Sequence, residues 1–198
     1  MSRELITVDI DDVFADSTES FRLAVNQHTG ANLTSADYRV PHTSYNRYYE
    51  HVWKKHGLEV AYDEVSTQMH VDQSHVPLVS GADVALKALS KYYDLEFITS
   101  RPAEWEAATQ LYMSGKLDGL VIKTHFTEKR EGLTKGQICR ELGASWHIDD
   151  NPDHCQSVID EGIGAILFGE YGWHYKIPDG AVHCKDWPAV LEYFDGRG

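Results

Sequence analysis

The chain is short of cations. Lysine and arginine number 18 against 31 acidic residues, a formal charge of −13 over 198 residues. A broad basic surface, the usual grip on extended nucleic acid, is excluded on that ground. A small nucleotide is not, since one phosphate needs only a metal ion and one or two cations. Cysteine is also scarce. Cys139, Cys155 and Cys184 are widely spaced, odd in number and form no CxxC pair, so neither a disulfide framework nor a zinc knuckle is expected and reduced thiols are the default. No apolar run reaches the ~20 residues needed to cross a bilayer. Met1-Ser2-Arg3-Glu4 leads into an apolar segment without a leader's long apolar region or cleavage site. The expectation is a cytoplasmic protein with no membrane partner. Repeats and low-complexity stretches are lacking too, and the length fits one α/β domain with a modest insertion.

What is present begins with Ile6-Thr7-Val8-Asp9-Ile10-Asp11-Asp12-Val13-Phe14-Ala15-Asp16, an apolar run ending in carboxylates. Short, β-branched and bounded by polar residues, it predicts a buried parallel strand over residues 4–9. Asp9 and Asp11 then fall just past its carboxyl end, where ligands bind in open α/β sheets. Acids packed this closely need a cation, and hard oxygen ligands suit Mg²⁺, which typically combines one or two carboxylates with phosphate and water. A strand with an acidic turn also fits a simple helix cap. The downstream segments favour the metal: Leu95-Glu96-Phe97-Ile98-Thr99-Ser100-Arg101-Pro102 reads as a strand ending in hydroxyls, Leu133-Thr134-Lys135-Gly136 puts a lysine before a helix, and Trp146-His147-Ile148-Asp149-Asp150-Asn151-Pro152 reads as a strand ending in paired acids.

Periodicity and punctuation predict a helix over 17–29 stopped by Gly30, then a stretch rich in tyrosine and histidine without a convincing strand, with helices clearest at 44–56 and 61–71. A helix follows between Ser80, a plausible cap, and Tyr93. The remaining expectations are strands at 94–99, 119–122, 146–149 and 164–168, a short strand near Val182, and helices from Pro102 to about Ser114, 134–142, 153–161 and 188–194. Alternating strands and helices imply right-handed crossovers and a Rossmann-like parallel sheet sandwiched by helices. Residues 1–16 and 78–198 form its core, and residues 17–77 a small helical cap inserted after the first strand, over the carboxyl edge. The cap histidines have no cysteine partner and no compact HxxxH, so zinc is disfavoured.

The order of these four segments resembles the four motifs of the haloacid dehalogenase superfamily of phosphohydrolases. The resemblance implies that Asp9 is the nucleophile, forming an aspartyl phosphate, and Asp11 the general acid and base, whose backbone carbonyl also faces the metal. Thr99, with Ser100 as understudy, donates to the phosphoryl group. Lys135 is preferred to Lys116, Lys123 and Lys129 because it directly precedes a helix whose N-terminus favours anions. Arg101 is read as solvent-facing, with a bidentate phosphate contact as its second use. Asp150 joins Asp9 and Asp11 at the metal, with Asp149 supporting or sharing, and Asp153 caps the next helix.

Within the superfamily, Asp9 to Asp16 is similar to the DxDGVxAD opening of the 5′(3′)-deoxyribonucleotidases, and the likeness extends to Thr99-Ser100, Asp149 to Asp153 and Asp186-Trp187-Pro188-Ala189-Val190-Leu191. Two departures are Asp12, where that family has glycine, and Ser17, where it has an aromatic lining the base pocket. Tyr45, Tyr48, Tyr49 and Trp53 are alternative stacking surfaces, or cap packing. The implied partner is a small phosphorylated substrate, a nucleoside monophosphate, and the implied enzyme is a Mg²⁺-dependent phosphomonoesterase that can pair as a homodimer. A sugar phosphate or a nucleic-acid 3′-phosphate end is the alternative substrate. A catalytically silent binding module is the reading from another class, and Asp9, Asp11, Lys135 and Asp150 together argue against it.

Overall fold

The computed structural model describes residues 3–45, 47–66, 72–117 and 119–196. Its strands are β1 (Leu5–Val8), β2 (Asp94–Thr99), β3 (Lys123–Phe126), β4 (Ala144–Asp149), β5 (Gly164–Phe168) and β6 (Val182–Cys184). They form one six-stranded sheet in the order β3-β2-β1-β4-β5-β6, every neighbouring pair parallel. This is the expected Rossmann-like sheet, with the chain reversing its direction of winding beside β1, where a crevice opens at the carboxyl ends.

Helices cover both faces because side chains alternate along each strand. Ile6, Val8, Phe97, Ile148, Ile166 and Phe168 point into one apolar cluster, which α4 (Ala82–Leu89) and α8 (Trp187–Asp195) close with Leu86, Leu89, Val190 and Phe194. Ile98, Ala165 and Leu167 point the other way, against Ile138, Cys139 and Val158 of α6 (Lys135–Leu142) and α7 (Pro152–Asp160). The fifth helix, α5 (Glu106–Lys116), links β2 to β3.

Between β1 and α4 lie α1 (Ser17–Thr29), α2 (Tyr48–Lys55) and α3 (Tyr62–Ser66), and no strand among the described residues. The predicted bounds of α1 hold at both ends. Asp16 accepts from the Glu19 amide at 3.0 Å, and Gly30 leaves the helix at φ 73°, a left-handed turn that glycine takes without strain. The expected second helix is shorter, because Arg47 at φ 56° interrupts the backbone just before Tyr48. Residues 67–71 of the expected third lie outside the described residues. Hydrogen bonds stitch the ends of this segment together: Asp16 N donates to Pro77 O, and Val79 N to Phe14 O, each at 2.9 Å.

Four expectations need correction. The first strand is Leu5–Val8 rather than residues 4–9, with Asp9 just past its end as expected. The strand expected at 119–122 begins instead at Lys123; Gly119 turns at φ 83° and Val121 is 94% exposed. β3 is an edge strand, covered less than the central ones, so Lys123-Thr124-His125-Phe126 serves, with His125 on Glu96 at 2.6 Å, while the more apolar run before it is a loop. Ser80 does not cap α4; Gly81, at φ 82°, precedes it without a side-chain cap. The cap of α7 is Asn151, whose side chain accepts from Asp153 N at 2.9 Å, rather than Asp153 itself.

One contact between helices permits no side chain. A Cβ added at Gly136 on α6 would lie 1.9 Å from Ser157 O of α7. Gly136→Ala is expected to destabilise the protein by about 1–3 kcal/mol through overpacking, read as a lower urea midpoint; an unchanged midpoint would disprove close packing of α6 on α7.

Candidate active site

Strand register assembles the site. Val8 pairs with Ile148, and Asp9 N continues the ladder to Ile148 O at 2.9 Å, so Asp9 emerges beside Asp149 at the carboxyl edge. Lys135 is the first residue of α6, which is started by a reciprocal cap: the Thr134 side chain accepts from the Gln137 amide and the Gln137 side chain from the Thr134 amide. From there its buried Nζ donates to Asp9 Oδ1 at 2.6 Å and Asp149 Oδ2 at 2.7 Å. Desolvation opposes the charge on Lys135, but the two carboxylates outweigh it and raise its pKa.

The three acids differ by environment. Asp149 accepts from Lys135, from His147 Nε2 at 2.9 Å, from Asn151 N at 2.9 Å and from His154 Nδ1 at 3.2 Å. Burial works against its ionisation, yet Lys135 and the histidines hold it well below the usual carboxylate range. Asp9 goes the other way: desolvation, with Asp149 and Asp11 nearby, outweighs Lys135 and pushes it up to about 6. Asp150 is raised well above the ordinary value by burial and by the Asp149 and Asp9 charges. One oxygen from each of Asp9, Asp149 and Asp150 lies within 4.8 Å of the other two. Crowded, buried, hard donors of this kind fit a divalent cation such as Mg²⁺, which would offset the burial and the mutual repulsion that raise Asp9 and Asp150.

Of the expected site residues, Asp9, Lys135 and Asp150 come together, and Asp149 is a full member of the cluster. The Asp11 side chain is engaged elsewhere. Arg101 grips both its oxygens, Nε to Oδ2 at 2.9 Å and Nη2 to Oδ1 at 2.7 Å, and Ser17 Oγ also donates to it. Burial raises the Asp11 pKa, but the guanidinium outweighs it, so the carboxyl stays below its usual range. Arg101 is therefore neither solvent-facing nor free for a phosphate: it is 3% exposed, and its other nitrogen donates to Gln73 Oε1 at 2.6 Å. Thr99, fully buried, accepts from Arg101 N at 3.1 Å. Ser100 is exposed and lines a cavity of about 290 Å³ together with Lys135 and His154.

Several contacts at the site involve residues beyond the expected catalytic, phosphate-binding and metal-binding set. His147 shares the face of Asp149 by strand alternation, and its Nδ1 meets Thr7 Oγ1 at 2.9 Å, the residue opposite it in β1. Trp173 and His174, in the loop after β5, both bond to Asp150. The signal available for these two was position alone, since that loop also leaves a carboxyl strand end. Asp12 sits at φ 57°, the left-handed region where its glycine counterpart would be at ease, and its buried carboxylate takes Thr18 N at 2.9 Å, Thr18 Oγ1 at 3.0 Å and Tyr49 Oη at 2.9 Å. Tyr45, Tyr49 and Tyr62 line two cavities beside the acids, of about 680 and 500 Å³; Asn151 and His154 border the first, Asp11 and Arg101 the second.

A scan against protein-family models finds no match, and a search of curated proteins finds none. Solved structures do match. The chain resembles YfnB of Bacillus subtilis, described as a HAD-hydrolase and bound to magnesium, with TM-score 0.66, 14% identity and coverage of 98% of this chain and 100% of that one. A predicted phosphoglycolate phosphatase from Haemophilus somnus 129PT gives TM-score 0.64 at 14% identity over 98% and 99%. A HAD family hydrolase from Deinococcus radiodurans R1, holding phosphate and sodium, gives 0.64 at 13% over 98% and 96%. The fold is that of the haloacid dehalogenase-like (HAD) hydrolases. In this HAD fold the acids and Lys135 stand where β1 and β4 end, the place at which open α/β sheets take ligands.

Asp12 yields a pH-dependent test. Burial, aided by Asp16 and Asp11, outweighs the Thr18 amide and pushes its carboxyl up to about 7. The folded pKa exceeds the unfolded one, so the folded state binds more protons between about pH 4 and 7, and stability falls as pH rises through that window. Asp12→Asn mimics the protonated acid and tolerates the positive φ. Melting of the metal-free protein near pH 8 is expected to move up by several degrees, with a shallower decline over the window; a lower midpoint than wild type would refute the assignment.

Proposed function

We propose that this protein is a Mg²⁺-dependent phosphomonoesterase working through an aspartyl phosphate on Asp9. The observation that carries the reading is the buried Lys135 ammonium joining Asp9 to Asp149, with Asp150 alongside, at the carboxyl edge of β1 and β4. The magnesium of YfnB and the phosphate of the Deinococcus hydrolase lend support from proteins of the same fold. Asp9 and Asp150, with the Asp11 backbone carbonyl and Asp149 adjoining, would hold Mg²⁺, and the bound ion supplies positive charge to offset that of the phosphoryl oxygens.

In the first step an Asp9 oxygen attacks phosphorus, the ester P–O bond breaks, and the departing alkoxide takes a proton from Asp11. In the second, Asp11 as carboxylate accepts a proton from water, the water oxygen attacks phosphorus, and the bond to Asp9 breaks to release phosphate. The Arg101 pair favours the ionised Asp11 that the second step needs. Proton donation in the first step therefore requires Asp11 to loosen from that guanidinium. Lys135 balances charge at the nucleophile, and Thr99 and Ser100 are assigned to the phosphoryl oxygens.

Residues 17–77 act as a helical cap on the core of 1–16 and 78–198, a division supported by the hydrogen bonds joining Asp16 to Pro77 and Phe14 to Val79. The substrate is a nucleoside monophosphate; the tyrosine-lined cavities offer planar faces to a base. Three buried free cysteines suit a reducing compartment such as the cytoplasm, and among the described residues no helix is long and apolar enough to cross a membrane.

A panel of nucleoside monophosphates and sugar phosphates assayed with Mg²⁺, with Asp9→Asn as blank, tests the proposal. Phosphate release is expected from wild type, with at least a ~10³-fold loss in Asp9→Asn and an unchanged far-ultraviolet spectrum. Variant turnover equal to wild type rules out Asp9 as nucleophile. Chelation should abolish activity and added Mg²⁺ restore it; rates indifferent to chelator contradict the metal assignment.

A further inference from the structure

We infer that Trp173 is a positioning residue for Asp150, fixing the rotation of that carboxylate as it faces Asp9 and Asp149. This rests on the reading of Asp150 as a cation ligand and assigns the residue that aims it. The indole Nε1 donates to Asp150 Oδ2 at 2.9 Å and reaches the same residue's backbone oxygen at 3.2 Å, while His174 Nε2 bonds to that oxygen at 2.6 Å. Side chain and backbone of one acid are thus gripped from one loop. A carboxylate with one oxygen held by a buried N–H has lost its freedom to rotate, and a partner of this type, bonded to the ligand rather than to the ion, sets how the ligand is presented.

The indole is itself held from the other side. Its ring stacks on Tyr171 at 4.5 Å and 3°, and Tyr171 Oη donates to the backbone oxygen of Asp12. The edges of Tyr45 and Tyr48 meet it at 5.4 and 5.0 Å. Gly172 O accepts from His42 N at 2.8 Å, and a Cβ at Gly172 would lie 1.9 Å from Tyr48 Oη, so the loop is locked against the insertion. Asp150 is therefore aimed by a loop that the α2 region braces, which couples cation affinity to the seating of the insertion.

The test measures Mn²⁺ binding to the full-length protein by electron paramagnetic resonance, alongside steady-state kinetics with Mg²⁺. Trp173→Phe keeps an aromatic ring against Tyr171, Tyr45 and Tyr48 and removes the N–H together with part of the buried indole. It is expected to weaken Mn²⁺ binding roughly 10- to 100-fold, to leave KM for the phosphate ester unchanged at saturating Mg²⁺, and to recover kcat as Mg²⁺ is raised. Trp146→Phe, whose ring meets Tyr193 and Phe194 of α8 away from the insertion, should bind Mn²⁺ as wild type does. Unaltered Mn²⁺ affinity in folded Trp173→Phe overturns the inference. A Mg²⁺ titration of wild-type tryptophan emission keeps it testable if that variant misfolds: a saturable change, retained in Trp146→Phe, is expected, and none at all counts against it. Should Asp150→Asn bind Mn²⁺ like wild type, the underlying ligand assignment fails and takes the inference with it; loss in Asp150→Asn with none in Trp173→Phe sinks the inference alone.

Discussion

An ammonium group buried between two carboxylates is the interaction on which the rest of the site turns. Lys135 would be costly inside the protein alone, and so would Asp9 and Asp149; the contacts of 2.6 and 2.7 Å offset those costs together. Removing one partner of such a buried arrangement typically costs about 3–5 kcal/mol, because the survivors are left uncompensated. Compensation here is incomplete. Counting Asp150, the carboxylates outnumber the ammonium by two charges, which is the charge of one divalent ion, and burial first, with the neighbouring acids adding to it, raises the pKa values of Asp9 and Asp150. Cation binding would then displace protons from the same groups.

Around this centre each acid is differentiated by its neighbours. Asp149 is saturated with four partners and serves as an anchor. Asp11, two residues from Asp9 in the chain, is drawn aside by Arg101, whose own guanidinium is seated by Gln73 from the far end of the insertion and by Thr109 on α5. Asp12 ties the same loop to Tyr49 of α2. The segment between β1 and α4 therefore touches the acidic loop after β1 through Tyr49, through Gln73 and Arg101, and through the loop after β5. Its seating and the geometry of the acids are one mechanical problem.

Much of this was legible in the chain. The parallel sheet, the order of its strands with helices, and the bounds of α1 and β5 follow from periodicity and local punctuation, because those signals depend on neighbours within a few residues. β3 is not legible in this way, because an edge strand does not need the continuous apolar run that marks a central one. Asp9, Lys135 and Asp150 could be proposed from strand ends and a helix start. Trp173, His174 and Gln73 could not, since they lie in segments with no periodic signal and acquire meaning only from what the fold sets beside them.

By itself the sequence determined which residues leave the carboxyl ends of β1, β2 and β4, and so which side chains are available at that edge. The partners were decided in three dimensions. Register between β1 and β4 sets Asp9 beside Asp149 although 140 residues separate them, and burial then makes every unpaired charge expensive enough to force a pairing. Arg101 found Asp11 rather than water, and Trp173 found Asp150. The physical reason is that hydrogen bonds and desolvation act over a few ångströms of space, a distance that strand order and helix packing control and linear spacing does not.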